Sequence, residues 1–154
     1  FRSKYQRDPP PMKKHYIAIL LAATLGMLFV ACTELAVDGP ILPQADGGDF
    51  VLYVSNQSFA LDPVELKVYI DGVLAVNQNF HVKNQHNWVR FQFQLRSGTH
   101  RIRAVYTVGE TQKEEFFTIE KPLWCVIDFY ASKGPGPAAQ SFNIMFFNHQ
   151  VAFA

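Results

Sequence analysis

Few residues in this sequence have the types and the spacing that a catalytic site or a metal site requires. His81 and His86 are five residues apart in a polar stretch with no neighbouring cysteine or cluster of acids, which is a poor pattern for a metal site. His100 follows a tight turn, where its ring is expected to bond to the backbone. The sequence contains no Gly-x-Ser-x-Gly elbow, no Ser-x-x-Lys motif and no glycine-rich phosphate loop. We therefore predict no catalytic activity, no cofactor and no metal; a small hydrolase would require the acids or the two spaced histidines to converge in one pocket.

Aromatic side chains are the other residues that could hold a ligand. Trp88, Tyr69 and Phe116 fall on strand faces opposite the clearest core positions, and large exposed apolar patches mark binding sites. If at least two of these rings are exposed and coplanar, they would stack on sugar rings, as in a carbohydrate-binding module. The alternative is that loops or the facing sheet cover the rings. Trp124 lies in a strand that is apolar on both faces and is expected to be buried, as is its neighbour Cys125.

Period-two alternation of apolar residues predicts the strands that position these side chains. The stretch VELKVYID places four apolar residues on one face and polar residues on the other, as expected of a half-buried strand. Asp71-Gly72 follows and predicts a tight hairpin turn into VLAVNQNF. WVRFQFQL, HRIRAVYTV and EFFTIE continue the alternation, and LWCVIDFY is typical of a central strand because it is apolar almost throughout.

Strand patterns dominate after residue 48. About seven or eight short strands, separated by turn signals, predict an all-β fold: an antiparallel, immunoglobulin-like β-sandwich spanning residues 49–154, after an N-terminal signal helix and a linker. SFNIMFFN and VAFA are expected to form a closing hairpin around Asn148-His149. The phrases VYIDGVLA and LRSGTHRIRAVY resemble strand-turn-strand segments of small bacterial surface modules of the immunoglobulin-like and PEGA types. That resemblance implies a fold and not a function.

The first 48 residues differ in composition from the rest. Residues 1–11 are charged and rich in proline, and we interpret them as a disordered or spurious extension before Met12. Residues 12–31 have the positive start and the apolar core of an export signal. The uncharged run from Tyr16 to Thr33 is 18 residues long, close to the length that crosses a bilayer. Residues 32–48 contain several glycines and prolines and are interpreted as a flexible tether.

The apolar run ends in a recognisable motif. Val30, Ala31 and Cys32 match the last three positions of the bacterial lipobox, whereas Phe29 replaces its usual leucine. Residues 12–32 therefore resemble a bacterial lipoprotein signal, which implies cleavage before the cysteine, acylation of its thiol and attachment by two or more acyl chains. Position 33 is threonine and not the aspartate that can retain such proteins in the inner membrane, so the resemblance favours the outer membrane. An ordinary secretory signal and an uncleaved single-pass anchor are the alternatives.

The charge of the predicted mature chain restricts its partners. The segment before Cys32 holds five of the 14 basic residues but one of the 13 acidic residues, so residues 32–154 carry a net charge of −3. A mildly acidic domain argues against nucleic acid, whose binding requires a basic patch. We therefore expect a non-catalytic binding or structural module of the bacterial envelope, attached to the membrane by lipid on Cys32, with an envelope protein or a glycan as its partner.

The lipid anchor is tested by the intact mass of the membrane-extracted protein, compared with that of Cys32→Ala. We expect a wild-type mass equal to residues 32–154 plus acyl chains, and we expect the variant to lack this species because acylation requires the thiol. An unmodified wild-type chain that retains residues 12–31 would contradict lipidation and would favour the uncleaved transmembrane anchor.

Overall fold

The computed structural model describes residues 41–82, 87–132 and 139–153. The predictions for residues 1–40, including the leader and Cys32, fall outside the described residues, as does the prediction for His86. None of the described residues forms a helix that could span a membrane. Eight strands occur in these ranges: β1 (Phe50–Asn56), β2 (Val64–Ile70), β3 (Val73–Phe80), β4 (Val89–Phe93), β5 (Gly98–Tyr106), β6 (Thr111–Ile119), β7 (Leu123–Ala131) and β8 (Gln140–Phe147).

The strands form two four-stranded sheets. The first sheet has the order β4-β1-β7-β8, and the second sheet has the order β3-β2-β5-β6. Neighbouring strands are antiparallel except β1 and β7, which run parallel from Phe50 opposite Leu123 to Asn56 opposite Phe129. The predicted all-β sandwich is therefore confirmed, with one parallel pair in place of a fully antiparallel arrangement.

The two ends of the described domain differ from the sequence prediction. Residues 50–56 form β1 although their sequence does not alternate, because six of these seven residues are buried at the centre of the first sheet. Residues 151–153 form no strand, so the predicted closing hairpin around Asn148-His149 is wrong. The ring of Phe153 contacts aromatic side chains of the first sheet, and this side-chain packing replaces the expected strand pairing.

The core lies between the sheets and is built from alternating positions of the strands. In β2 the predicted apolar face is buried, and Leu66 and Val68 have 0 % exposure, whereas Glu65 is exposed. Phe50 of the first sheet stacks on Phe117 of the second with ring centroids 4.7 Å apart. Full burial stabilises a side chain of this size by about 1.5–3 kcal/mol relative to exposure. The contact between the sheets is therefore apolar, as the alternation predicts.

The β2–β3 hairpin closes at Asp71-Gly72, as predicted. Both residues have a positive φ, 50° at Asp71 and 81° at Gly72, which is typical of the type I′ turn that matches the twist of paired strands. Glycine adopts this conformation without strain. The Asp71 carboxylate also accepts a hydrogen bond of 2.9 Å from the backbone N–H of Arg101, so the turn is attached to β5.

Residues 41–48, the described part of the predicted tether, form backbone hydrogen bonds with the strands of the sandwich. Ile41 forms a parallel bridge with Leu74 of β3, and the N–H of Ala45 donates to the carbonyl of Gln92 in β4. Gly48 is buried, and a Cβ atom at this position would lie 2.3 Å from the carbonyl oxygen of Phe93. The contacts of the domain therefore extend to residues that precede Asp49.

One buried and one exposed phenylalanine test which strand faces form the core. Phe50 is 0 % exposed and Phe116 is 68 % exposed. We expect Phe50→Ala to lower the free energy of unfolding by about 3–5 kcal/mol, and Phe116→Ala to change it by about 0.5 kcal/mol or less. Urea unfolding followed by circular dichroism measures both values. Equal losses in the two variants would contradict the position of the core.

Candidate functional site

The three aromatic residues predicted as ligand contacts lie on two faces of the sandwich. Tyr69 in β2 and Phe116 in β6 alternate with buried core residues, so they lie on the outer face of the second sheet. Trp88 precedes β4, and its indole donates to Asp128, which alternates with core residues of β7 in the first sheet. The structure therefore brings Tyr69 and Phe116 onto one surface and separates Trp88 from both of them.

Arginines lie between the two aromatic rings on the outer face of the second sheet. Arg103 is the cross-strand partner of Tyr69, and its guanidinium carbon lies 4.7 Å from the centre of the tyrosine ring, a cation–π contact. Arg101 is the cross-strand partner of Phe116, and it forms an ion pair of 3.7 Å with Glu114. We name the surface formed by these five residues the arginine face.

Phe116 is the most exposed ring of the arginine face. It belongs to the nine-residue strand β6 and leaves 68 % of its surface in water. A partner that covered the ring completely would gain about 1.5–3 kcal/mol. The neighbouring pair of Arg101 and Glu114 is also well exposed, and such pairs contribute about 0–1 kcal/mol to folding. Both charges are therefore available to new partners at little cost to the domain.

Trp88 is covered by the chain itself. The ring of Phe153 stacks on the indole, with centroids 4.1 Å apart and an interplanar angle of 15°. Tyr53 of β1 meets the same phenyl ring edge-on at 4.9 Å and 73°. Trp88 and Tyr53 are half-buried, and Phe153 keeps 36 % of its surface exposed. The indole is thus the base of an aromatic cluster and not an open platform.

A buried carboxylate supports this aromatic cluster. Asp128 is 5 % exposed, and its Oδ1 accepts hydrogen bonds from the Nε1 of Trp88 at 2.8 Å and from the hydroxyl of Ser55 at 2.7 Å. Gln57 donates in turn to the Ser55 oxygen at 3.0 Å. A buried charge is stable only with such donors, and the same bonds hold the indole in one orientation. We name Tyr53, Ser55, Trp88 and Asp128 the Trp88 site.

His81 and Asp62 lie beside a shallow depression in the surface. Their side chains are 3.1 Å apart and about half exposed. The hydroxyl of Ser58, which is 0 % exposed, accepts from two backbone N–H groups of its own loop and donates to the carbonyl of Ala131. The hydroxyl proton is thus committed to a carbonyl, which gives this serine a structural role. The depression is lined by Ser58, Phe59, Ala60, Leu61, Asp62 and Val82.

The titratable side chains do not gather into a metal site within the described ranges, where no group of three His, Cys, Asp or Glu residues could hold an ion. Cys125 is 0 % exposed. Burial, together with the charge of Asp128, raises the pKa of its thiol well above the ordinary value. A thiol in this state is inert, which agrees with the prediction that Cys125 is a small buried residue of the core.

His100 is held by hydrogen bonds at both ring nitrogens. Its Nδ1 lies 2.7 Å from a carboxylate oxygen of Asp71, and its Nε2 lies 2.7 Å from the carbonyl oxygen of Arg96, so the predicted bond to the backbone is confirmed. Both partners are acceptors, and only the imidazolium donates from both nitrogens. Burial lowers the pKa of His100, but the bonds to Asp71 and Arg96 and the charge of Asp71 outweigh it and raise the pKa overall.

Sequence reasoning did not identify Tyr53, Asp128 or Phe153 as parts of a site. The signal for Asp128 is its place in LWCVIDFY, where a charge occupies an outward position of an otherwise apolar strand. The two rings carry no such signal, because their contacts join segments that are far apart in the chain. Comparison with models of protein families, with curated proteins and with solved structures finds no match.

The pair of His100 and Asp71 makes stability depend on pH. Because the folded-state pKa of His100 is raised above 6.5, its stabilisation is present below that pH and is lost as the pH rises through the raised pKa. We expect an NMR titration midpoint above 6.5 for His100 and a lower midpoint in Asp71→Asn. Asp62→Asn, which changes the partner of His81 instead, should leave the midpoint of His100 unchanged. A midpoint that does not respond to Asp71→Asn would contradict the role of this carboxylate.

Proposed function

We propose that this chain is a lipid-anchored protein of the bacterial envelope whose β-sandwich is a non-catalytic binding module, and that the arginine face contacts a partner protein. The lipobox-like motif that ends at Cys32 supports the anchor, and Thr33 favours the outer membrane. The sandwich supports a binding role because its regular strands present neighbouring side chains on one extended surface. The partner proposed is a protein of the envelope.

The observation that carries this proposal is the exposure of Phe116 on a regular strand. The ring is 68 % exposed, and it lies beside the arginines of β5, which separate it from Tyr69. Arg103 contacts Tyr69 and Arg101 contacts Glu114. Aromatic residues and arginine are enriched at the cores of protein interfaces, and tyrosine and arginine are frequent among the residues that carry binding energy. The arginine face combines these types on one surface.

A protein fits the arginine face better than a glycan does. Sugar rings stack on open, coplanar aromatic rings, whereas Arg103 lies over the ring of Tyr69 and Trp88 does not lie on this surface. The exposed pair of Arg101 and Glu114 offers both signs of charge, and complementary charges on a protein surface give specificity at such a contact. A carbohydrate-binding module is therefore the alternative that the experiment has to distinguish.

Photocrosslinking in intact envelopes tests the proposed partner. A photoreactive benzoyl-phenylalanine replaces Phe116 in one chain and Phe59 in a control chain, because Phe59 is 66 % exposed but lies outside the arginine face. We expect a discrete protein adduct from position 116 that is absent from position 59. We also expect Phe116→Ala to weaken binding of the identified partner by about 2 kcal/mol or more.

Three outcomes of the crosslinking would go against a protein partner. A saccharide adduct at position 116 would favour the carbohydrate-binding module. The same adducts at positions 116 and 59 would show contact without specificity. A protein adduct that persists unchanged when Arg101→Ala and Arg103→Ala are added would show that the arginines take no part, and the arginine face would then not be the binding surface.

A further inference from the structure

Each sheet ends in two edge strands, whose outer N–H and C=O groups are available to a further strand. On one side of the sandwich the chain itself bonds to these edges. The N–H of Leu42 donates to the carbonyl of Leu74 in β3, and the N–H of Ala45 donates to the carbonyl of Gln92 in β4. In addition, β4 is only five residues long, and the pairing of β3 with β2 shifts in register. Both edges are therefore protected against pairing with another chain.

The edge strand β6 is protected by charge. Its middle holds Lys113, Glu114 and Glu115 in succession, and charged side chains discourage the addition of a further strand. β6 meets β8 across the core, where the rings of Phe117 and Phe146 stack with centroids 5.3 Å apart. The two strands belong to different sheets and do not pair. β6 therefore leaves the hydrogen-bonding edge of β8 without a strand partner.

β8 has none of these protections. It is eight residues long, QSFNIMFF, with no charged residue and no proline, and it pairs with β7 along its whole length without a shift of register. Within the described ranges, no backbone hydrogen bond joins it to any strand other than β7. A long, uncharged, apolar edge strand is the type of edge to which a further strand adds. β8 is thus the unprotected edge of the first sheet.

The sequence of β8 complements itself. Antiparallel pairing of two copies about Ile144 would place Phe142 of each copy opposite Phe146 of the other. Residues opposite each other point to the same face, so the core-facing side chains, which are buried or packed against the core, would meet one another. Gln140 would stay outside the pairing, where its side-chain oxygen already accepts from the hydroxyl of Thr111 at 3.0 Å. No charges would oppose each other, and aromatic pairs stabilise such contacts.

This self-complementarity favours a second copy as the occupant of the edge. A symmetric dimer uses the same surface of both subunits, so that surface must fit itself. β8 meets this condition, whereas self-pairing of β6 about its middle residue would set Glu115 opposite Glu115, and like charges in this position are destabilising.

We propose that β8 pairs antiparallel about Ile144 with β8 of a second copy of this chain, so that the two first sheets join into one continuous sheet. The contact gives the outer backbone groups of β8 hydrogen-bond partners and covers more of Met145, Phe146 and Phe147, which are only partly buried in the single chain. The proposal depends neither on the lipid anchor nor on the arginine face, which lies on the second sheet.

Paired cysteines test the contact with the full chain in mild detergent. One copy carries Ser141→Cys, and a second copy with a different affinity tag carries Phe147→Cys. In the proposed register the two positions lie opposite each other, about 5 Å apart between Cα atoms, a separation that a disulfide spans. After oxidation with copper phenanthroline, we expect capture of one tag to recover the other copy through a disulfide. Recovery should exceed that of mixed wild-type chains, which carry Cys32 and Cys125, by about tenfold or more.

Two copies of Ser141→Cys, or two copies of Phe147→Cys, are matched controls. In each control the introduced cysteines would lie about 20 Å apart along the paired strands, so we expect no disulfide. Tyr130→Cys mixed with Phe147→Cys controls for exposure. Tyr130 is 42 % exposed and is the partner of Ser141 on β7, but it would lie one strand further away, about 10 Å from position 147 of the other copy.

Recovery of the mixed pair that does not exceed these controls would overturn the proposal, provided that circular dichroism shows the variants folded. Equal cross-linking in the mixed pair and in every control would also overturn it, because that result indicates collision of chains without a fixed register. If Phe147→Cys does not fold, Asn143→Cys mixed with Met145→Cys decides instead, since these positions lie opposite each other in the same register.

Discussion

The parallel pairing of β1 with β7 is the contact on which the rest of the structure depends. It places two strands at the centre of the first sheet and aligns them from Phe50 opposite Leu123 to Asn56 opposite Phe129. Central strands of a sheet have partners on both edges, and here they are also largely buried on both faces. One face forms the core against the second sheet. The other face requires a cover, and this requirement explains the aromatic cluster around Trp88 and the buried hydrogen bonds of Asp128.

The second sheet follows a simpler physical rule. Its central strands β2 and β5 bury alternate residues, with Leu66 and Val68 inside and Glu65 outside, whereas its edge strand β3 buries Leu74, Ala75 and Val76 in succession. Its outer face carries the exposed pair of Arg101 and Glu114, which adds little to stability, and the exposed ring of Phe116 lies beside Arg101. The two outer faces thus differ: the chain's own aromatic residues cover part of one, and the other carries the exposed ring of Phe116.

Sequence alternation was sufficient for the second sheet and insufficient for the first. The pattern in VELKVYID and the turn at Asp71-Gly72 are local signals, and the structure confirms both. The stretch FVLYVSN has no period, because a strand that is buried on both faces does not alternate. The surroundings of Trp88 are decided by Asp128 and Phe153, which lie far away in the chain. Pattern reasoning therefore assigned Phe116 to the outward face of its strand and left its exposure open, and it could not find the cluster that covers Trp88.

The long sequence separation between β1 and β7 also determines when the two strands can pair during synthesis. Ser55 and Asp128 are 73 positions apart, whereas the hairpins β2–β3 and β5–β6 close over short turns. Contacts of high sequence separation form late. During translation β1 leaves the ribosome long before β7, its parallel neighbour, has been synthesised. A nascent or truncated chain that ends before Leu123 carries an apolar strand with an unpaired edge, which is the type of segment that aggregates. A chain that ends before Leu123 should therefore be less soluble than one that includes β7.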